Sequence, residues 1–176
     1  MAQSTNKMRA LGGIILAISL LLVACQQEQQ QRRRATKQEL IAYNQKLVKM
    51  DSAAICYYCH QNNLDSIPNT QGLWMTITEQ GIGDNIQKNN VVTLSYSISD
   101  LLGNIYYTSQ HDGLKVIKVG QGNDVMALDM ALPQLRNGAK ATLIVMPDLA
   151  YGLRGDDAKI DGRIILRYDI EVVRVE

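Results

Sequence analysis

Residues 139–152, AKATLIVMPDLAYG, and residues 164–175, IILRYDIEVVRV, decide the fold. The first stretch is an apolar run of strand length that ends at Pro147, because proline has no N–H group to donate to a sheet. The second stretch alternates between apolar and charged side chains, which predicts a strand with one buried face. The apolar positions of that strand are Leu166, Tyr168, Ile170 and Val172.

Earlier segments predict further strands and one short helix. The predicted strands run over residues 72–81, 91–99, 105–107 and 114–119, with a turn at Gly103-Asn104. We expect Asn123-Asp124 to cap a short helix that kinks or ends at Pro133. The apolar face of this helix consists of Val125, Leu128, Leu132 and Leu135. An antiparallel sheet with one short helix late in the chain predicts an α+β fold.

Residues 36–69 predict a helical extension that precedes a folded domain at residues 70–176. Apolar side chains recur there at helical spacing, at Leu40, Ile41, Tyr43, Leu47 and Met50. Asp51-Ser52 is a candidate cap for a second helix that runs to about Leu64.

Residues 1–24 have the pattern of a lipoprotein signal peptide. Lys7 and Arg9 precede an uncharged apolar run that is shorter than the roughly 20 residues of a membrane-spanning helix. The run ends in Leu-Val-Ala-Cys, which resembles the lipobox of bacterial lipoproteins, so Cys25 is predicted to be the lipidated amino terminus. An ordinary signal peptide or a weak membrane anchor is the alternative. Residues 25–35 are predicted to be a flexible tether, and the location to be the outer membrane, facing the periplasm.

Composition and charge exclude several classes of function. The net charge is +1 and no basic face is evident, so nucleic acid is not an expected partner. The two histidines, His60 and His111, lie in no zinc or nucleophile pattern. Asp156-Asp157 is expected to be a solvated loop pair rather than a calcium or acid site. We therefore predict an activity without a metal or a cofactor.

One motif competes with this interpretation. Cys56-Tyr57-Tyr58-Cys59-His60 matches the C-x-x-C-H pattern of c-type haem attachment, in which two cysteines form thioethers and the histidine is an axial ligand. Because the match is short and lies within helical sequence, we predict that it carries no haem. A local disulfide or two thiols on a helix are the alternatives.

From residue 91 to residue 176 the chain resembles the FKBP family of peptidyl-prolyl cis/trans isomerases. The resemblance rests on Leu135-x-x-Gly138-x-Lys140-Ala141, Met146-Pro147-x-x-Ala150-Tyr151-Gly152 and Leu166-x-Tyr168-x-Ile170-Glu171. With its lipobox and upstream helices, the chain is also similar to gliding-motility-associated FKBP-like lipoproteins.

The resemblance implies a sheet wrapped around the short helix, with an apolar pocket between them. By correspondence, the pocket residues are Tyr96, Tyr106, Val125, Leu128, Tyr151, Ile160 and Tyr168. The Val125 N–H and the Tyr151 hydroxyl would hold substrate carbonyls, and Leu128 would form the floor. The chain departs from the family pattern at Leu128, where tryptophan is usual, and at Tyr107, where aspartate is usual. It also contains no phenylalanine.

The activity implied is isomerisation of X–Pro bonds in exported proteins. Proline-containing polypeptides are then the expected partners, and a lipid anchor holds the protein at the membrane. The alternative is a non-catalytic FKBP-like binding or assembly module of an envelope complex. The sequence leaves the client protein and the oligomeric state open.

Overall fold

The computed structural model describes residues 36–64 and 71–176. The chain divides into two compact units, Met1–Val48 and Lys49–Glu176, and every described strand lies in the second. The predicted signal peptide, the tether and Cys25 lie outside the described residues. Within the described ranges, no helix is both long and apolar enough to cross a membrane.

Helix α1 runs without interruption over Lys37–Gln61. The predicted second helix beginning at Asp51-Ser52 is therefore wrong. No glycine or proline interrupts this segment, and the Asp51 carboxylate does not cap a helix. It accepts a hydrogen bond from Arg163 Nη2 at 2.7 Å instead, across 112 residues of sequence.

The described strands form one antiparallel sheet. They are β1 (Leu73–Glu79), β2 (Val91–Asp100), β3 (Ile105–Thr108), β4 (Lys115–Lys118), β5 (Lys140–Val145) and β6 (Leu166–Val175). Their order is β1-β5-β6-β2-β3, and β4 also pairs with β2. The strands predicted from the sequence are confirmed, with ends displaced by a few residues.

Strands β3 and β4 are the two halves of one interrupted edge. β4 pairs with the first half of β2 and β3 with the second half. Between them lies the one-turn helix α2, Ser109–Asp112, whose first turn is capped by Thr108. The Ser109 hydroxyl is 2.9 Å from the Ser95 hydroxyl of β2, so the one-turn helix is tied back to the sheet.

Helix α3 is short, Met126–Ala131, and continues as a 3-10 turn over Leu132–Gln134. Pro133 lies in that turn, so its predicted effect on the helix is confirmed. The predicted cap is wrong, because the N-cap residue is Val125 and no side chain caps the helix. The predicted apolar face is buried at Val125, Leu128, Leu132 and Leu135.

The alternation of the strands divides the buried side chains between the two faces of the sheet. On one face, Leu73 and Leu143 belong to the main core, which also contains the buried residues of α3. On the other face, Trp74 and Ile144 form a second cluster with Ile55, Cys59 and Met146. The end of α1 from Lys49 onward is therefore packed against the second face of the sheet. The candidate site lies on the first face.

Candidate active site

The structure brings the predicted pocket residues together in one hydrophobic cluster. Four of them are buried, namely Val125, Leu128, Ile160 and Tyr168. The other three, Tyr96, Tyr106 and Tyr151, are half-buried and pack against them. A cleft of about 380 Å³ opens at this place, and Val125 and Tyr151 line it together with Lys115, Gly122, Asn123, Asp124 and Ala150.

Tyr151 is positioned by the loop that follows β5. The Pro147 carbonyl accepts hydrogen bonds from the N–H groups of Ala150 and Gly152, at 3.0 and 2.8 Å, which closes a tight turn around Tyr151. Farther along the loop, a Cβ atom at Gly155 would lie 2.1 Å from the Ile160 carbonyl oxygen. Only glycine allows this close approach, which folds the loop on itself and returns Ile160 to the cluster.

The Val125 N–H, predicted to hold a substrate carbonyl, already has a partner. It donates to Asp124 Oδ1 at 2.8 Å. The other oxygen of Asp124 is 2.6 Å from Lys115 Nζ, and that ammonium lies 5.3 Å from the centre of the Tyr96 ring. Sequence reasoning assigned Asp124 to a helix cap and gave Lys115 no role, because neither belongs to a motif.

A second carboxylate, that of Asp156, lies beside Tyr107. Tyr107 donates a hydrogen bond to Asp156 Oδ2, and Asp156 Oδ1 accepts from three backbone N–H groups, those of Ala158, Lys159 and Ile160. Burial acts to raise the pKa of Asp156, but these hydrogen bonds hold it below its ordinary value. The expected solvated pair is therefore correct only for Asp157, which is exposed.

The hydroxyl groups of Tyr96 and Tyr106 are held in the neutral form by their surroundings. Burial raises the pKa of Tyr96, and Asp112 and Asp124 raise it further. The Tyr106 hydroxyl donates to Asp100 Oδ2 at 3.3 Å, and its pKa is raised first by burial and then by Asp100.

Tyr168 is the most buried of the predicted pocket tyrosines, since Tyr96, Tyr106 and Tyr151 are only half-buried. The Tyr168 hydroxyl oxygen is buried and has no partner in hydrogen-bond geometry among the described residues. Burial raises the pKa of Tyr168 strongly, and the nearby Tyr151 hydroxyl adds to the effect. Burial also raises the pKa of Tyr151, whereas the Tyr168 hydroxyl acts to lower it.

Comparison with known proteins decides the family. The model of the FKBP-type peptidyl-prolyl cis-trans isomerase family matches residues 83–173. The chain belongs to this family. The predicted FKBP domain and the enzyme class are thereby confirmed.

Relatives of this isomerase include two small FKBP proteins. It is 31% identical over 109 residues to FK506-binding protein 1 of Gibberella zeae, a match that covers 59% of this chain and 98% of the relative. It is 32% identical over 98 residues to the peptidyl-prolyl cis-trans isomerase Fkbp12 of Drosophila melanogaster, a match that covers 54% of this chain and 91% of the relative.

Solved structures bear out the predicted α+β fold. The crystal structure of AtFKBP13 superposes with a TM-score of 0.59 at 24% identity, covering 64% of this isomerase and 99% of that chain. The N-terminal domain of FKBP42 from Arabidopsis thaliana gives a TM-score of 0.58 at 19% identity, covering 64% and 92% of the two chains. At these identities the likeness shows the fold alone.

This FKBP domain also has a larger groove, of about 500 Å³, which crosses β2, β5 and β6 beside α2. Most of its lining residues are of polar type, among them Ser97, Thr142 and Glu171. Tyr96 is the one predicted pocket residue among its lining residues. We take the smaller cleft as the candidate site, because both Tyr151 and Val125 line it.

The C-x-x-C-H motif lies on α1, and none of its residues lines the cleft. Cys56 and His60 are exposed, whereas Cys59 is 5% exposed and packs in the cluster of Trp74 and Ile144. The two cysteines are not joined by a disulfide. Within residues 36–64 and 71–176, no three His, Cys, Asp or Glu side chains are grouped to hold a metal ion. The absence of haem stays a prediction.

Proposed function

We propose that this FKBP-type isomerase catalyses cis/trans isomerisation of X–Pro bonds in exported polypeptides. The observation that carries the proposal is the convergence of the seven predicted pocket residues in one cluster beside a cleft. Rotation of an X–Pro bond breaks no covalent bond, so the site needs neither a nucleophile nor a proton-transfer group. It has to lower a barrier of about 18–20 kcal/mol that arises from amide resonance.

The buried side chains supply the apolar surroundings for this rotation. Val125, Leu128 and Ile160 are 8%, 1% and 3% exposed, so water is excluded from their part of the cluster. A planar amide is more polar than a twisted one, and apolar surroundings therefore disfavour the ground state relative to the transition state. The Tyr151 hydroxyl and the Val125 N–H would orient the peptide by hydrogen bonds to its carbonyl groups.

Binding at Val125 requires Asp124 to move. The Asp124 carboxylate accepts from the Val125 N–H, so a substrate carbonyl can accept from that group only after this hydrogen bond is broken. Lys115 remains beside Asp124 and can keep the displaced carboxylate paired. Hydrogen bonds to charged groups contribute about 1.5–3 kcal/mol, so Asp124 opposes substrate binding.

We further propose that the protein is an outer-membrane lipoprotein facing the periplasm. The support is the basic and apolar segment that ends in Leu-Val-Ala-Cys at Cys25, followed by a polar tether. Lipid on the cysteine sulfur and on the amino terminus gives more than one acyl chain, which stable anchoring requires. The lipobox and the α1 region also support a relation to gliding-motility-associated FKBP-like lipoproteins.

A non-catalytic binding or assembly module is the second candidate. The observation in its favour is that Asp124 occupies the Val125 N–H. Both candidates predict that proline peptides bind in the cleft, but only the isomerase predicts that their cis/trans exchange is accelerated.

The test is an isomerisation assay on a proline-containing peptide, combined with a binding titration. Tyr151→Phe removes one neutral donor, worth about 1 kcal/mol, so we expect kcat/KM to fall severalfold with the melting temperature little changed. Tyr58→Phe is the matched control, because the Tyr58 hydroxyl contacts Arg167 outside the cleft. Binding without acceleration would establish the module instead, and unchanged kcat/KM in Tyr151→Phe would remove Tyr151 from the site.

A further inference from the structure

Tyr168 places a hydroxyl group in the buried part of the hydrophobic cluster. It is 1% exposed, and its side chain lies on the inner face of β6 with Leu166 and Ile170. Its hydroxyl oxygen is buried and has no partner in hydrogen-bond geometry among the described residues. A buried hydroxyl without a partner destabilises a folded protein, so a phenylalanine here would favour folding more than tyrosine does.

Two of the groups that act on the pKa of this hydroxyl, Tyr151 and Asp124, line the cleft. After burial, the group with the largest effect on Tyr168 is the Tyr151 hydroxyl, followed by Asp124 and Asp156. Tyr168 in turn acts to lower the pKa of Tyr151, against the larger effect of burial. Tyr151 and Tyr168 also pack in the same hydrophobic cluster, Tyr168 buried and Tyr151 at its half-buried edge.

We propose that Tyr168 is a positioning residue, whose hydroxyl donates to the Tyr151 oxygen when Tyr151 donates to a client carbonyl. This inference rests on the proposed function, because it assigns Tyr151 the contact with the client. Without a client, the Tyr168 hydroxyl has no partner in hydrogen-bond geometry among the described residues, Tyr151 included. A carbonyl in the cleft fixes the direction of the Tyr151 O–H and leaves the Tyr151 oxygen open to its neighbour.

The consequence is a hydrogen bond that forms only in the complex. Hydrogen bonds in a chain polarise one another, so the contact from Tyr168 strengthens the contact from Tyr151 to the client. In the free protein the unpaired Tyr168 hydroxyl lowers the stability of the fold, whereas in the complex this hydroxyl is paired. A residue that only fills the core would show no such difference between the free and bound states.

The test is Tyr168→Phe, which keeps the ring and removes the hydroxyl. We expect the melting temperature of the free protein to rise by about 2–4 °C and kcat/KM to fall by about fivefold, mostly through KM. These changes have opposite signs, whereas a packing role would lower stability and activity together.

A cycle with Tyr151→Phe shows whether Tyr168 acts through Tyr151. In that background, Tyr168→Phe should still raise the melting temperature but leave kcat/KM unchanged. Tyr58→Phe is again the control, since it removes a hydroxyl that accepts from Arg167 at 3.0 Å and should not alter kcat/KM.

Three outcomes would overturn the inference. An active wild type whose Tyr168→Phe variant keeps its kcat/KM removes Tyr168 from the site and leaves the proposed function intact. An equal loss in the Tyr151→Phe background shows that Tyr168 does not act through Tyr151. A wild type that neither binds nor isomerises proline peptides refutes the proposed function, and the role of Tyr168 with it.

Discussion

Each tyrosine around the cleft brings a hydroxyl, and each hydroxyl is accommodated differently. Tyr106 donates to Asp100 and Tyr107 donates to Asp156, so two of the rings are fixed by carboxylates. Tyr168 is buried without such a partner. Because the chain contains no phenylalanine, the polarity of the site depends on where these hydroxyls find acceptors.

The Tyr107 hydroxyl predicts an alkaline loss of stability. Its hydrogen bond to Asp156 and its burial raise the pKa of Tyr107 from 10.0 to about 12. The folded protein therefore holds this proton more tightly than the unfolded chain does. The resulting stabilisation is complete below about pH 10 and is lost as the pH rises towards 12.

Urea unfolding at several pH values measures this effect. Tyr107→Phe should be less stable than wild type at neutral pH, and the difference should shrink between about pH 10 and 12. Other tyrosines also titrate in this range, but they are present in both proteins and cancel in the comparison. A difference that stays constant over these pH values would show that the Tyr107 proton is not linked to folding.

At the scale of elements, the end of α1 is part of the folded domain rather than an appendage. Ile55 is 0% exposed and packs with Trp74 and Ile144 on the sheet face opposite the cleft. Two polar contacts support it, from Asp51 to Arg163 and from Tyr58 to Arg167. Packing and hydrogen bonding thus hold this helix segment to the sheet.

Ile55→Ala should destabilise the protein by about 2–5 kcal/mol, because it leaves a cavity between the helix and the sheet. Urea unfolding followed by the fluorescence of Trp74, the single tryptophan, measures this loss next to the mutated side chain. Tyr57→Ala is the matched control, since Tyr57 is 69% exposed and its removal should cost less than about 0.5 kcal/mol. Equal stability of both variants would show that α1 contributes nothing to the core.

At the scale of the whole molecule, Cys25 should decide where the isomerase is found. Cys25→Ser is expected to release the protein from membranes or to leave its precursor uncleaved, because serine has no sulfur to carry lipid. Fractionation and mass spectrometry of the amino terminus measure both effects. Cys56→Ser is the control and should remain lipidated. A processed Cys25→Ser protein that still fractionates with membranes would contradict the lipobox interpretation.

Local sequence patterns determined most of the fold. The alternation along β6 and the proline after β5 depend on neighbouring residues, so strand faces and strand ends could be predicted. The site residues came from the family resemblance, and the structure brings all seven together. Helix caps were predicted less well. Asp51 binds a distant side chain, and Asp124 binds Lys115 and the N–H of the adjacent Val125 without capping the helix.

Only the tertiary structure decided which polar groups meet. In the sequence, Tyr107 stands where the family usually has an aspartate, so a carboxylate is missing from that position. In the structure Asp156, 49 residues later in the chain, places a carboxylate beside the Tyr107 hydroxyl. The alternation of β1 and β5 could not show that Trp74 and Ile144 meet the end of α1. Periodicity depends on the nearest residues, whereas these contacts depend on how the chain returns to the same place. The pairing of each buried hydroxyl and carboxylate is therefore a property of the packed molecule.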